Sequence, residues 1–215
     1  TGDSGFYNKV ESNKFNYDRI SVRIDSHNNT VVNNSIMNSL SAGVQFAGAA
    51  QFNNITRNNI VNSSVSVSIS INVNHNIIAR NNINKGKYGI FEFSSFSNVY
   101  TGNNISSNKY GINLSSSGGE LVYNNYFNNI AGNARDDSSN RWNITKTSGT
   151  NIVGGPYIGG NFWNDYTGQD TNGDFIGDTN LPYKSGGSIV NGGDYLPLSS
   201  TPTNFVNSCS NDPNQ

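Results

Sequence analysis

NIIARNNINKGKYGI (76–90) and NVYTGNNISSNKYGI (98–112) are one phrase written twice, 22 residues apart. A period in the twenties is the mark of a solenoid. Extending the frame gives an Asn column at Asn34, Asn58, Asn81, Asn103 and Asn125, with spacings of 24, 23, 22 and 22. Three residues earlier stand Val31, Ile55, Ile78, Tyr100 and Val122, and two residues later Ile36, Ile60, Ile83, Ile105 and Phe127. Another column, Asn29, Asn53, Asn76 and Asn98, breaks at Glu120.

These columns predict a parallel β-helix. Short strands with one inward apolar residue stack on their equivalents in the next coil, about 4.8 Å away, so a column of Ile becomes a wall of core. Asn suits the corners because it tolerates left-handed backbone, bonds the local main chain and can ladder with its copies. A leucine-rich repeat is excluded by the scarcity of Leu. Prion-like disorder, the other reading of Asn-rich sequence, is opposed by the regular Ile and Val columns.

The chain has 215 residues, a length of one or two domains, and the repeat favours one continuous solenoid. Charged residues make up only 13% and the net charge is −1, which gives no reason to expect nucleic acid or a membrane surface as partner. No apolar run is long enough to span a bilayer. The single Cys209 excludes an internal disulfide framework. Thr1 reads as an already processed start, so the lack of a visible signal peptide carries little weight. Seven glycosylation sequons, at Asn28, Asn33, Asn54, Asn62, Asn104, Asn113 and Asn143, permit an extracellular life.

In chain order, residues 1–17 read as an N-terminal cap or arm, 18–163 as the β-helix, 164–198 as a C-terminal cap, and 199–215 as linker and tail. Alternation starts at Ile20, Val22 and Ile24. Phe91-Glu92-Phe93 suggests a bulge. From Asn128 to Gly149 the pattern dissolves into an expected loop carrying Trp142, and the columns return at Ile158, Asn161 and Trp163.

The stretch from Trp142 through Gly154-Gly155-Pro156-Tyr157 and Gly160-Asn161-Phe162-Trp163-Asn164-Asp165-Tyr166, with Asp170 to Asp178 and Asp194-Tyr195-Leu196-Pro197-Leu198, resembles the closing segment of NosD-like β-helix repeat proteins. Such proteins are abundant on the surface of methanogenic archaea. The resemblance covers roughly residues 18–198. It implies an all-β chain, a right-handed single-stranded parallel β-helix with coils of about 22 residues. It also implies export and a surface or carbohydrate-associated role, without fixing an activity.

Asp170-x-Asn172-x-Asp174-x-x-x-Asp178 offers the oxygen ligands of a calcium loop, with the Ile176 carbonyl as a further ligand. Phe175 replaces the usual Gly, and no Glu follows at the twelfth position, so the loop is closer to thrombospondin type 3 repeats than to an EF-hand. Its competitor is an Asx-rich turn without metal. Catalysis has less support: Asp25, Glu92 and Glu120 fall in different columns, and His27 and His75 lie coils apart. Lys87 and Lys109 share a column, as do Tyr88 and Tyr110, and Arg57 stacks over Arg80. Such a face fits an acidic sugar, although a packed Tyr pair with solvated cations is the simpler reading. The expectation is an exported, non-enzymatic structural protein of a surface layer, sheath or fibre, self-assembling as a homo-oligomer or homopolymer. A carbohydrate-binding module for cell-surface polysaccharide is the alternative, and a lyase- or epimerase-like enzyme comes third.

Overall fold

The computed structural model describes residues 7–200. Its strands form three parallel sheets, each running through successive coils about 22 residues apart. Sheet A holds Lys9–Glu11, Thr30–Val32, Asn54–Thr56, Ile77–Ala79, Val99–Thr101 and Leu121–Tyr123. Sheet B runs from Lys14–Asn16 through Ser35–Met37, Asn59–Val61, Asn82–Asn84, Asn104–Ser106 and Tyr126–Asn128 to Phe162–Trp163. Sheet C runs from Ile20–Ile24 through Ala42–Phe46, Val65–Ile69, Tyr88–Phe93, Tyr110–Ser115 and Gly132–Ser139 to Ile189–Asn191. Among the described residues the only helical turn is Ser185–Gly187, and no helix is long and apolar enough to cross a membrane.

Each strand of sheets A and B in the regular coils is three residues long and sends its middle residue inward. The sequence columns are therefore the walls of the core. Ile55, Ile78, Tyr100 and Val122 line sheet A, Ile36, Ile60, Ile83, Ile105 and Phe127 line sheet B, and all are completely buried. Each buried Ile contributes about 1.5–3 kcal/mol. Sheet C is longer and sends two columns inward: Val22, Val44, Val67, Ile90, Ile112 and Ala134, then Ile24, Phe46, Ile69, Glu92, Leu114, Asp136 and Ile189. The glycine of the Lys-Tyr-Gly-Ile phrase serves a close approach, since a Cβ on Gly89 would lie 2.7 Å from the Gly111 carbonyl oxygen.

The Asn columns are hydrogen-bond ladders. Asn34, Asn58, Asn81, Asn103 and Asn125 each donate their backbone N–H, at 2.9–3.1 Å, to the side-chain Oδ1 of the next rung. Each Nδ2 donates to the same oxygen at 2.9–3.0 Å. From Asn34 onward Nδ2 also reaches back to a carbonyl of the preceding coil, as Asn81 does to Ile55 at 2.8 Å. One buried amide thus ties three coils. The left-handed residue at this corner is the one before: Asn33, Arg57, Arg80, Gly102 and Asn124 all have φ between 55° and 66°. Asn is therefore selected here for its amide, and the backbone strain falls on a neighbour of varied chemistry.

Several expectations change. The arm over residues 1–17 is, from Lys9 on, the first coil: Lys9–Glu11 pairs with Thr30–Val32 and Lys14–Asn16 with Ser35–Met37. Its polar sequence hid it because such short strands need only one inward residue each, Val10 and Phe15. No bulge forms at Phe91-Glu92-Phe93, whose register with both neighbouring strands is constant. The expected loop after Asn128 contains the eight-residue strand Gly132–Ser139, templated by Tyr110–Ser115 despite its weak propensity. Asn161 and Trp163 hold their column positions, but Ile158 sits in a small antiparallel hairpin with Thr147. Leu121 bridges Arg141 instead, which makes Trp142 the residue following Val122.

Residues 164–198 cover the C-terminal end, with Tyr183 stacked on Trp163 at 4.5 Å and Leu198 bridging Phe162. Residues 201–215, including Cys209, lie outside the described residues.

Replacing Asn81 by Ala strands the Asn58 N–H, takes one acceptor from Asn58 Nδ2 and removes the donor to the Ile55 carbonyl. We expect a loss of about 3 kcal/mol or more in urea unfolding. Asn82→Ala removes only exposed amide contacts to Asn59 and Asn104 and costs about 0.5 kcal/mol or less.

Candidate functional site

The acids that sequence reasoning separated come together inside the solenoid. Glu92 replaces an apolar residue in an inward column of sheet C, two rungs before Asp136. Glu120 takes the Asn position in the first ladder, where its Oε2 accepts the Asn98 N–H. Glu92 accepts from Asn98 Nδ2 at 2.9 Å and from the Tyr100 hydroxyl. Asp136 accepts from Trp142 Nε1 at 3.0 Å and Asn140 Nδ2 at 2.8 Å. Glu120 Oε1 has no hydrogen-bond partner among the described residues. A proton there, turned toward Glu92, satisfies that atom and removes a charge.

Burial is the largest cause raising Glu92 and Glu120 above the ordinary carboxylate range; for Glu120 the Glu92 charge adds to it. Burial also raises Asp136, against the hydrogen bonds that it accepts. All three acids are shut from solvent. Column spacing misses it because side chains of two different columns converge across the core.

A fourth buried acid ends the main ladder. Asp194 Oδ2 accepts the Asn161 N–H at 2.7 Å and Trp163 Nε1 at 2.9 Å, while Oδ1 accepts the Leu196 N–H. Its approach requires Gly160, where a Cβ would fall 1.8 Å from the Asp194 carboxylate. Burial raises Asp194 to about 7 against these donors.

On the outside of sheet C, Tyr88 and Tyr110 stack at 5.2 Å, with Lys87 and Lys109 each 5.4 Å from the adjacent ring. Both rings border a groove of about 230 Å³ shared with Asn113, Gly132 and Arg135. Arg57 and Arg80 occupy successive left-handed corners away from this groove.

In the Asp-rich loop, Asp170 is buried and accepts the N–H groups of Asn172, Gly173, Asp174 and Phe175. Asp178 accepts from Thr171 and Asn172, and Asp174 accepts the Ile176 N–H and pairs with Lys146. The loop is thus curved by its own amides, with Lys146 supplying a positive charge. Of the sequon residues, Asn33, Asn62 and Asn104 are exposed, Asn28, Asn54 and Asn143 are half-buried, and Asn113 is buried.

Residues 7–168 match the family model of NosD, described as a periplasmic copper-binding protein. The chain belongs to the NosD family. No curated protein and no solved structure matches it. The NosD match spans the coils and stops short of the Asp-rich loop.

The family description prompts a test for copper, which is held by soft or imidazole ligands. Among the described residues no three His, Cys, Asp or Glu side chains are grouped to hold a metal ion. His27 Nδ1 accepts the Gln51 N–H at 3.0 Å, and His75 packs between Phe52 and Phe96 at 5.4 and 5.8 Å. The described residues of this NosD chain do not fit a copper centre.

The buried acids set a pH dependence. A carboxyl whose folded pKa lies above its unfolded one stabilises the fold most below the unfolded value and loses that contribution as pH rises through the folded value. The unfolding temperature at constant ionic strength is therefore expected to be higher at pH 5 than at pH 9, with part of the fall near 7 from Asp194. Glu120→Gln, whose amide can donate to Glu92, should flatten the profile and melt higher than the parent at pH 9. A profile identical in slope to the parent's would exclude the shared proton.

Proposed function

We propose that this chain is an exported, non-enzymatic structural β-solenoid of the cell envelope or surface that associates with copies of itself. The NosD description places that family in the periplasm, which supports a life outside the cytoplasm. Self-association is supported by one observation above others, the asymmetry of the two ends. Lys9–Glu11, Lys14–Asn16 and Ile20–Ile24 each end their sheet, and their outer edges have no paired strand among the described residues. At the other end residues 164–198 cover sheet B through Tyr183, Leu196 and Leu198, and Ile189–Asn191 is the last strand of sheet C. An open strand edge templates another strand.

Its charges are of mixed sign, with Lys9 on Glu11 at 2.6 Å and Arg23 on Asp25 at 2.9 Å, so the same face is self-complementary. Edge on edge is isologous and closes as a dimer, whereas edge on cap is heterologous and propagates as a filament. The surrounding surface carries little charge to oppose either. Light scattering and electron microscopy of the full chain across a concentration series test this. We expect dimers or filaments, with amides of residues 9–24 protected from hydrogen exchange on association. A monomer at all concentrations, with those amides exchanging freely, rejects it.

Calcium enters the same proposal as a structural ion of the Asp170–Asp178 loop. The spacing of Asp170, Asn172, Asp174 and Asp178 as oxygen ligands supports it. Lys146 is the competitor, because its ammonium already lies against Asp174 and 4.3 Å from the Tyr157 ring. Chelation should lower the melting temperature, and calcium should restore it by mass action. Equal melting of metal-free and calcium-loaded protein would assign the charge balance to Lys146 alone.

A further inference from the structure

The outward Tyr column of sheet C stops one rung short. Tyr88 pairs with Tyr110, and Tyr110 pairs with Gly132. Tyr88 covers one face of the Tyr110 ring, and on the next rung Gly132 brings no side chain to the other. A Cβ placed on Gly132 would come no nearer than 4.0 Å to the Tyr110 ring, so the space is open. The groove there holds about 230 Å³, which is one ring's worth of room against the roughly 300–1,000 Å³ of drug-sized pockets.

Two polar groups in this groove lack partners. Asn113 Oδ1 is buried and accepts no hydrogen bond from the described residues, a costly state for an amide oxygen unless something donates to it. The Arg135 guanidinium is exposed beside it and makes no hydrogen bond or ion pair among the described residues. Lys109 adds a second cation over Tyr110. The nearby acid, Asp137, is engaged by Ser115 and the Ser116 N–H.

We propose that this groove binds one uronic acid residue of an acidic polysaccharide. The pyranose ring lies on the free face of Tyr110 in the rung that Gly132 leaves open. Its carboxylate takes the planar Arg135 fork, and a ring hydroxyl donates to Asn113 Oδ1. The stacked face suits polarised C–H groups, because the ring's quadrupole is negative there. The site stands independently of self-association, since it lies on the side of the solenoid and not at its end.

Calorimetric titration of the full chain with trimers of galacturonate and of glucuronate, and with maltotriose as neutral control, tests the site. At least one uronate trimer should bind with a Kd of about 1 mM or tighter. Maltotriose should bind at least about tenfold more weakly, and Arg135→Gln should abolish that preference. Gly132→Val fills the rung in open space and should abolish binding while leaving the melting temperature unchanged. Absence of binding by both uronates overturns the proposal. So does equal binding of maltotriose, or full uronate affinity in Gly132→Val protein that melts like the parent.

Discussion

The fold rests on the buried amide that donates in both directions along the solenoid axis. Parallel coils expose main-chain donors and acceptors at every corner, where no strand pairing is available to satisfy them. Asn58, Asn81, Asn103 and Asn125 solve this by accepting an N–H from the coil before through Oδ1 and donating Nδ2 to both neighbours. Val, Ile or Phe at the same position would leave several buried polar groups unpaired, each costing about 1–3 kcal/mol. The apolar columns supply the driving force, but they specify only that the coil closes. The amides fix its register, because a rung displaced by one residue finds no acceptor.

Such a ladder has a direction, and that determines how it must end. Every rung passes donors toward the C-terminus, so the last rung needs a residue that only accepts. Asp194 meets this requirement under Asn161, and Gly160 makes room for it. Burial raises the pKa of this carboxyl while the donors oppose the rise, so the terminator is itself titratable near neutrality. The first ladder meets the same demand earlier, at Glu120, and transfers it to Asn140 through the Glu120 N–H.

The columns, the core and the three-sheet architecture were legible because a translational repeat writes each structural role several times over. What the sequence concealed had one copy, or depended on other coils. The first coil was hidden by its Lys, Glu and Asn, since Val10 and Phe15 are its only inward residues in sheets A and B. Gly132–Ser139 has no strand-forming composition of its own and takes its shape from the strand beside it. Glu92 and Glu120 looked unrelated because column position says where a Cα stands and not how far a Glu side chain reaches across a core. At the candidate surface site, the sequence exposed the stacked Tyr88 and Tyr110. Gly132 and Arg135, embedded in a stretch read as loop, had no frame to place them.

In a solenoid, the chemistry sits where the period fails. An Ile column that turns to Glu92 creates a buried charge problem, and the Asn column that turns to Glu120 supplies the group that shares it. A Val column that turns to Trp142 brings an indole N–H to Asp136. These three departures answer one another inside the core, so they close on themselves and leave nothing for a ligand. The departure from Tyr to Gly132 faces outward and is answered by no aromatic ring among the described residues. It leaves open space beside the Tyr110 ring and, among the described residues, an unpaired amide oxygen and an unpaired guanidinium in one place. Departures that balance internally stabilise the fold, whereas one left unbalanced at the surface is where a partner molecule is needed to complete the rung.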